Sequence, residues 1–280
     1  MMPLRPYPAA LLRKEGERVL VVADLHIGWE VALADKGFFI PSRTEKMVAR
    51  MMRIIKRYKP TELILLGDVK HTIARADLSE WRDIPEFLEK IIKEVPDVKV
   101  IPGNHDGNLA PLLPESVEIL PVSGINLWGE FGLFHGHSWP DPSLLECPLL
   151  ITGHMHPLVT FKDVSGFRIT HRVWIRSPCN GDKLATSLLK HLGIKIEGDV
   201  KLTMNRLYGF TPKTNSLMIM PSFNEFLGGQ SVNSRRTYRG DSRRFIGPVL
   251  RSKCANMERA EVFMLDGTFL GTIRQLRGFA

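Results

Sequence analysis

The feature that most constrains this chain is a series of short apolar runs, each stopping at a turn rich in metal-ligand chemistry. Val19-Leu20-Val21-Val22-Ala23 leads into Asp24-Leu25-His26, and Leu63-Ile64-Leu65-Leu66 into Gly67-Asp68-Val69-Lys70-His71. Val98-Lys99-Val100-Ile101 leads into Pro102-Gly103-Asn104-His105-Asp106. Short aliphatic and β-branched runs bounded by Gly and Pro read as buried strands. Helical patterns separate them. Ser42-Arg43-Thr44-Glu45 has capping-box spacing and opens a helix in which Met47, Val48, Met51, Met52, Ile55 and Tyr58 share one face. Lys56, Arg57 and Lys59 suit its negative end, and Pro60 stops it. A second helix is expected from about Ser79 to Glu94. Strand–helix–strand–helix–strand is the grammar of a parallel sheet, whose ligands gather at the carboxyl ends of the strands.

After about residue 115 the helical pattern thins. Val117–Leu120, Ile125–Trp128, Gly132–Phe134 and Leu149–Thr152 read as short strands, and Leu158–Lys162 with Phe167–Ile175 as a hairpin turned at Ser165-Gly166. Together they predict a second, mixed sheet. Two of its strands again end in ligand-type turns, His135-Gly136-His137 and Gly153-His154-Met155-His156. Beyond Pro178 the pattern suggests a short helix at Asp182–Leu192 and a strand at Ser216–Met220. Glu261–Leu265 and Thr268–Ile273 form a hairpin around Asp266-Gly267, a strong two-residue turn. With no repeat and no low-complexity linker, the expectation is a single domain over residues 1–280. Its C-terminal part, from about 181, carries insertions and a basic segment at 231–256.

Seven of the nine histidines lie in these strand-end turns, accompanied by Asp24, Asp68 and Asn104. Residues two apart in extended backbone face the same side, so Asp24 with His26 can chelate one ion, and His154 with His156 repeats that geometry. A donor set of carboxylate, imidazole and amide without thiolate suits Mn²⁺, Fe²⁺ or Zn²⁺ better than Ca²⁺. The ligands are too many for one tetrahedral ion, which implies two, and Asp68 sits mid-set as the carboxylate to bridge them. His105 is the candidate proton donor, and Asp106 either tunes it or stabilises the turn. His137 contacts the substrate or orients another ligand; His71 and Lys70 face the substrate or a solvated loop. His171 and His191 fall outside the turns and read as structural.

Asp24-x-His26, Gly67-Asp68-x-x-His71, Gly103-Asn104-His105-Asp106, His135-Gly136-His137 and Gly153-His154-x-His156 resemble the five ordered motifs of the calcineurin-like metallophosphoesterase superfamily. The resemblance spans about residues 20–157. It implies an α/β fold, a four-layer α-β-β-α sandwich of two mixed sheets, with two divalent ions, Mn²⁺ first among them. Asp24, His26 and His156 would hold one ion, and Asn104, His135 and His154 the other, with Asp68 bridging. Within the superfamily, Gly67–His71 and Leu217–Asn224 followed by Gly228-Gly229 are similar to the ligase-associated DNA damage response endonucleases and related archaeal phosphoesterases. That branch implies DNA repair, with helicase or ligase partners. The insertion at about 181–212 and the basic segment depart from its shorter members.

Lys+Arg of 38 against Asp+Glu of 30 gives a net charge of +8, which favours an anionic partner, nucleic acid or nucleotide. Arg235, Arg236, Arg239, Arg243, Arg244, Arg251 and Lys253 are the cations expected to track a phosphate backbone. No apolar run approaches a membrane span and no signal-peptide core is present, so a cytoplasmic location is expected. Cys147, Cys179 and Cys254 lack zinc-ribbon spacing and read as reduced, buried thiols. No Gly-x-Ser-x-Gly elbow and no His-x-His-x-Asp-His run occurs, which sets aside serine hydrolases and metallo-β-lactamase-type enzymes. The expected reaction is phosphate-ester hydrolysis in nucleic acid or nucleotides, by a hydroxide held between the ions with His105 as general acid. A small-molecule phosphodiesterase or phosphatase is the alternative, and a non-catalytic scaffold the lesser one. Oligomeric state is left open.

Overall fold

The computed structural model describes residues 1–34, 37–73, 76–234 and 246–279. Two compact units emerge: Met1–Pro121 with Ser222–Leu227, and Val122–Pro221 with Gly228–Ala280.

The first unit carries a six-stranded mixed sheet. β1 (Met2–Pro3), β2 (Ala9–Lys14) and β3 (Glu17–Val22) are antiparallel neighbours; β4 (Glu62–Leu66), β5 (Asp97–Ile101) and β6 (Val117–Ile119) continue parallel to β3. Alternation sorts the side chains. Leu20, Val22, Leu63, Leu65, Val98 and Val100 pack with one face of α2 (Thr44–Tyr58) and of α3 (Leu78–Ile92), which follow the short α1 (Trp29–Ala34). Val19, Val21, Ile64 and Leu66, pointing the other way, are buried as well. Such near-continuous apolar strands are what a parallel sheet requires.

The second unit carries a nine-stranded mixed sheet in the order β13–β10–β11–β12–β9–β8–β7, with β14 beside β11 and β15 beside β14. These are β7 (Ile125–Leu127), β8 (Phe131–Leu133), β9 (Leu149–Thr152), β10 (Pro157–Lys162), β11 (Arg168–Pro178), β12 (Ser216–Ile219), β13 (Gln230–Ser231), β14 (Glu261–Met264) and β15 (Phe269–Thr272). Leu150, Val173, Ile175, Leu217 and Ile219 form its core with Leu184, Ala185, Leu188 and Leu189 of α4 (Gly181–His191) and Met204 of α5 (Val200–Tyr208). The short α6 (Pro248–Arg251) and α7 (Ile273–Leu276) add Val249, Leu250, Ile273 and Leu276. Two mixed sheets, each with its own helices, make up the α/β architecture expected.

Several local expectations change. The Ser42–Glu45 box does not cap α2: its N-cap is Arg43, without a side-chain cap. Ser42 Oγ instead donates to Asp83 Oδ2 at 2.7 Å. A capping box does form at α3, between Asp77 and Glu80. Val117–Ile119 joins the first sheet, parallel to β5, rather than the second. The three cysteines are buried thiols, with Cys179 Sγ 3.6 Å from Cys254 Sγ; burial pushes Cys147 up to about 12. Of the basic segment, Arg235, Arg236, Arg239, Asp241, Arg243 and Arg244 lie outside the described residues. No described helix is long and apolar enough to cross a membrane.

Glu80 ties this fold to the turn after β4. Fully buried, its carboxylate accepts from the amides of His71 at 2.9 Å, Thr72 at 2.8 Å and Asp77 at 2.9 Å, and from the Thr72 hydroxyl. Glu80→Ala would strand these donors, and the expected loss is about 3 kcal/mol in urea unfolding. A wild-type midpoint and slope would contradict this role.

Candidate metal centre

In the first unit, the turns after β3 and β4 are joined backbone to backbone. Asp24 N–H donates to Gly67 O at 3.1 Å, His26 to Asp68 O at 2.8 Å and Ile27 to Val69 O at 2.8 Å, while His71 returns one to Ile27 O at 3.0 Å. The buried side chains converge: one ligand atom from each of Asp24, His26 and Asp68 lies within 4.8 Å of the other two. His26 Nε2 is 3.3 Å from Asp68 Oδ2. The extended backbone expected at Asp24-x-His26 is not what brings them together. Asp24 (φ 59°), His26 (φ 45°) and Asp68 (φ 51°) all adopt the left-handed conformation, as do His154 (φ 66°) and His156 (φ 45°) of the second unit. That region is costly for non-glycine residues and collects at functional sites.

The turn after β5 packs onto Asp68. His105 N–H donates to Asp68 Oδ1 at 2.8 Å. Gly103 has no alternative here, since a Cβ would fall onto the Asp68 carboxylate and amide. Asp106 accepts from three amides, Val69 at 2.9 Å, Lys70 at 3.2 Å and Gly103 at 2.8 Å. It thereby locks the turns after β4 and β5 together, the turn-stabilising role of the two that were open. His105 Nδ1 hydrogen-bonds His71 O. The buried Asn104 Oδ1 has no hydrogen-bond partner among the described residues, a costly state for an amide oxygen unless a cation takes its lone pairs.

His26, His71 and His105 also cluster, with ligand atoms within 4.8 Å of one another and the Nδ1 atoms of His26 and His71 3.2 Å apart. Burial, then the neighbouring His26 and His105, lowers the His71 pKa to about 4, so its ring is neutral at pH 7. Lys70 departs from expectation. Fully buried, its ammonium donates to the carbonyls of Thr72 and Ile73 and so braces its own loop rather than facing a substrate.

In the second unit, the turns after β8 and β9 bring His135, His137 and His154 together, with ring centroids 5.1 Å apart for His135–His154 and 5.3 Å for His135–His137. Thr152 Oγ1 and Gly153 N–H both donate to His135 O, at 2.5 and 3.0 Å. Gly136, at φ 115°, leaves no room for a Cβ against Thr152 Oγ1. His156 Nδ1 lies 3.3 Å from Gly228 O; with the proton on Nδ1, the lone pair a metal would need sits on Nε2. Gly229 is explained by its approach to the same residue, because a Cβ on it would strike His156 O. His171 is exposed on β11, and His191 stacks on Trp139 at 5.3 Å.

Sequence reasoning missed two supports of the first unit. One is Glu80. The other is the returning segment Ser222–Leu227, where Phe223 enters the core and its N–H donates to Ala23 O at 2.8 Å. Asn224 N–H donates to Asp24 O at 3.3 Å, and Phe226 stacks on Trp29 at 5.8 Å. The Pro221–Asn224 motif was visible in sequence, but not its destination.

The donor set fits divalent ions: converging buried carboxylates and imidazoles, an unbonded buried amide oxygen, and a histidine oriented through its second nitrogen. Gly103→Ala is expected to displace Asp68 and weaken Mn²⁺ binding roughly tenfold or more in calorimetric titration. Unchanged affinity would contradict the packing role of Gly103.

No curated protein sequence matches the chain. Among solved structures, it is similar to the Pseudomonas putida nuclease MPE at 18% identity and a TM-score of 0.48, over 92% of this chain and 97% of that one. It is also similar to YfcE, a phosphoesterase from E. coli, at 20% identity and a TM-score of 0.33, over 52% of this chain and 73% of that one. The family model for calcineurin-like phosphoesterases matches residues 17–197, more than half of the chain and every turn described above. The chain belongs to the calcineurin-like phosphoesterase family, and it is a metal-dependent hydrolase of phosphate esters.

Proposed function

We propose that the chain is a dinuclear phosphodiesterase acting on nucleic acid or nucleotides. The observation that carries the reading is the convergence of Asp24, His26 and Asp68 beside His105, whose amide is bound to the Asp68 carboxylate. Asp24, His26 and His156 would hold one ion, Asn104, His135 and His154 the other, and Asp68 both; Mn²⁺ is the first candidate for this donor set, ahead of Fe²⁺ or Zn²⁺. Bound there, the ions polarise the phosphoryl group and make water a stronger nucleophile.

The rest falls to protein groups. His105 Nδ1 is occupied by the His71 carbonyl, so a protonated ring presents Nε2–H to the leaving oxygen. Asp106 acts on this step indirectly, as a positioning residue holding the His105 turn against Val69 and Lys70. His71 and His137 border the phosphate. The family match at 17–197 runs through parts of both compact units, which supports reading 1–280 as one phosphoesterase domain. The net charge of +8, the Gly67–His71 turn and the Ser222–Leu227 segment support nucleic acid, and a DNA-repair role, over a free phosphomonoester.

With Mn²⁺ and a chromogenic phosphodiester, His105→Ala is expected to lower kcat roughly 10²- to 10⁴-fold while metal content is retained. Asp68→Asn is expected to abolish turnover with the fold intact by circular dichroism. Wild-type-like turnover by the metal-loaded variants would refute the assignment. Cleavage of nucleotides with no cleavage of any DNA form would move the substrate to the small-molecule class.

A further inference from the structure

We propose that a pocket of the second unit, beside His137 and His154, binds the phosphodiester that flanks the one being cut. This rests on the phosphodiesterase reading and deepens it: the substrate is a strand with at least two phosphates in sequence. The pocket has a volume of about 650 Å³, and its walls include His137, Trp139, His154, Lys190, Ile246 and Arg251.

Its charge is one-sided. Lys190 comes from the last turn of α4 and Arg251 from the end of α6, and among the described residues no acidic one lines the space. Some exposed cations of this unit have acidic partners: Lys201 with Asp182, Arg206 with Glu197, Lys213 with Glu146. Among the described residues, Lys190 and Arg251 have none. Two cations facing one cavity without a counter-charge match a bound anion. Trp139, held flat on His191 at an interplanar angle of 24°, and Ile246 give an apolar wall suited to a base or sugar.

The pocket is registered on the candidate centre. A Cβ on Gly247, just before α6, would meet the carbonyl of Gly136, so α6 packs directly against the His135–His137 turn. The start of α4 is tied to the chain just after α6 through Asn180 N–H donating to Cys254 O at 2.9 Å. Lys190 and Arg251 therefore stand at fixed positions relative to His137 and His154. A neutral leaving group would leave both cations unmatched; the next phosphate of a nucleic-acid strand satisfies them.

The test uses metal-free protein in EDTA and a fluorescein-labelled single-stranded oligothymidylate, with anisotropy followed against NaCl. For the Lys190→Gln/Arg251→Gln double variant, the slope of log affinity against log salt should fall by about 1.4, two contacts at about 0.7 each. Trp139→Ala should weaken binding about tenfold with the slope unchanged. In the Mn²⁺-loaded enzyme, the ratio of kcat/KM for the oligonucleotide to that for bis(p-nitrophenyl) phosphate should fall roughly tenfold in the double variant, a change a general loss of folding would not produce. An unchanged slope and ratio, with the wild type active on both substrates, would overturn the subsite and leave the phosphodiesterase reading standing. A wild type that cuts neither substrate would overturn both.

Discussion

Holding a carboxylate or imidazole in left-handed backbone costs about 1–3 kcal/mol per residue. Among the described residues, ten non-glycine residues adopt a positive φ, and five of them are Asp24, His26, Asp68, His154 and His156. Left alone, such turns relax. What prevents it in the first unit is the cross-bonding of the turns after β3 and β4, completed by the Asp106 carboxylate on three amides of neighbouring turns. The strand ends that carry these residues are thus held in place by the protein's own hydrogen bonds.

This dependence explains why groups without ligand chemistry matter as much as the ligands. Glu80 holds the far end of the β4 turn through the His71 and Thr72 amides, and Gly103 lets the β5 turn approach Asp68. Asn224 steadies Asp24 from behind. In the second unit, Gly136 lets the His135–His137 turn approach Thr152, and Gly229 lets its segment approach the His156 carbonyl. At Gly103, Gly136 and Gly229 a single methyl would strike a neighbouring atom.

Much of this was legible in the sequence because the signals are local. Buried parallel strands announce themselves as runs such as Leu63–Leu66, and α2 and α3 as apolar stripes ended by Pro60 and Pro96. The hairpin around Asp266-Gly267 follows from turn chemistry, although its strands end at Met264 and resume at Phe269, a longer loop than the two-residue turn expected. Less visible was whatever depends on long-range pairing. Val117–Ile119 is too short to declare its sheet, and only its pairing with β5 places it in the first. β1 and β2 are masked by the surrounding prolines and arginines, and α5 lies in a stretch whose short apolar pattern is ambiguous. Ser42 had the right spacing for a cap, yet the nearby Asp83 carboxylate drew its hydroxyl away. At the candidate centre, the residues that come together, Asp24, His26 and Asp68 among them, could be picked out by type. The left-handed geometry that aims them could not, because Asp and His carry no strong conformational signature of their own.

Under the proposed function, these strand ends would hold two divalent ions with Asp68 shared between them. The most direct test is an anomalous difference map, recorded at the manganese edge, from crystals of the protein grown with Mn²⁺. The account predicts two peaks per chain, both in contact with Asp68, one also touching Asp24 and His26 and the other Asn104 and His135. A single peak, or two peaks of which either lies away from Asp68, would contradict it.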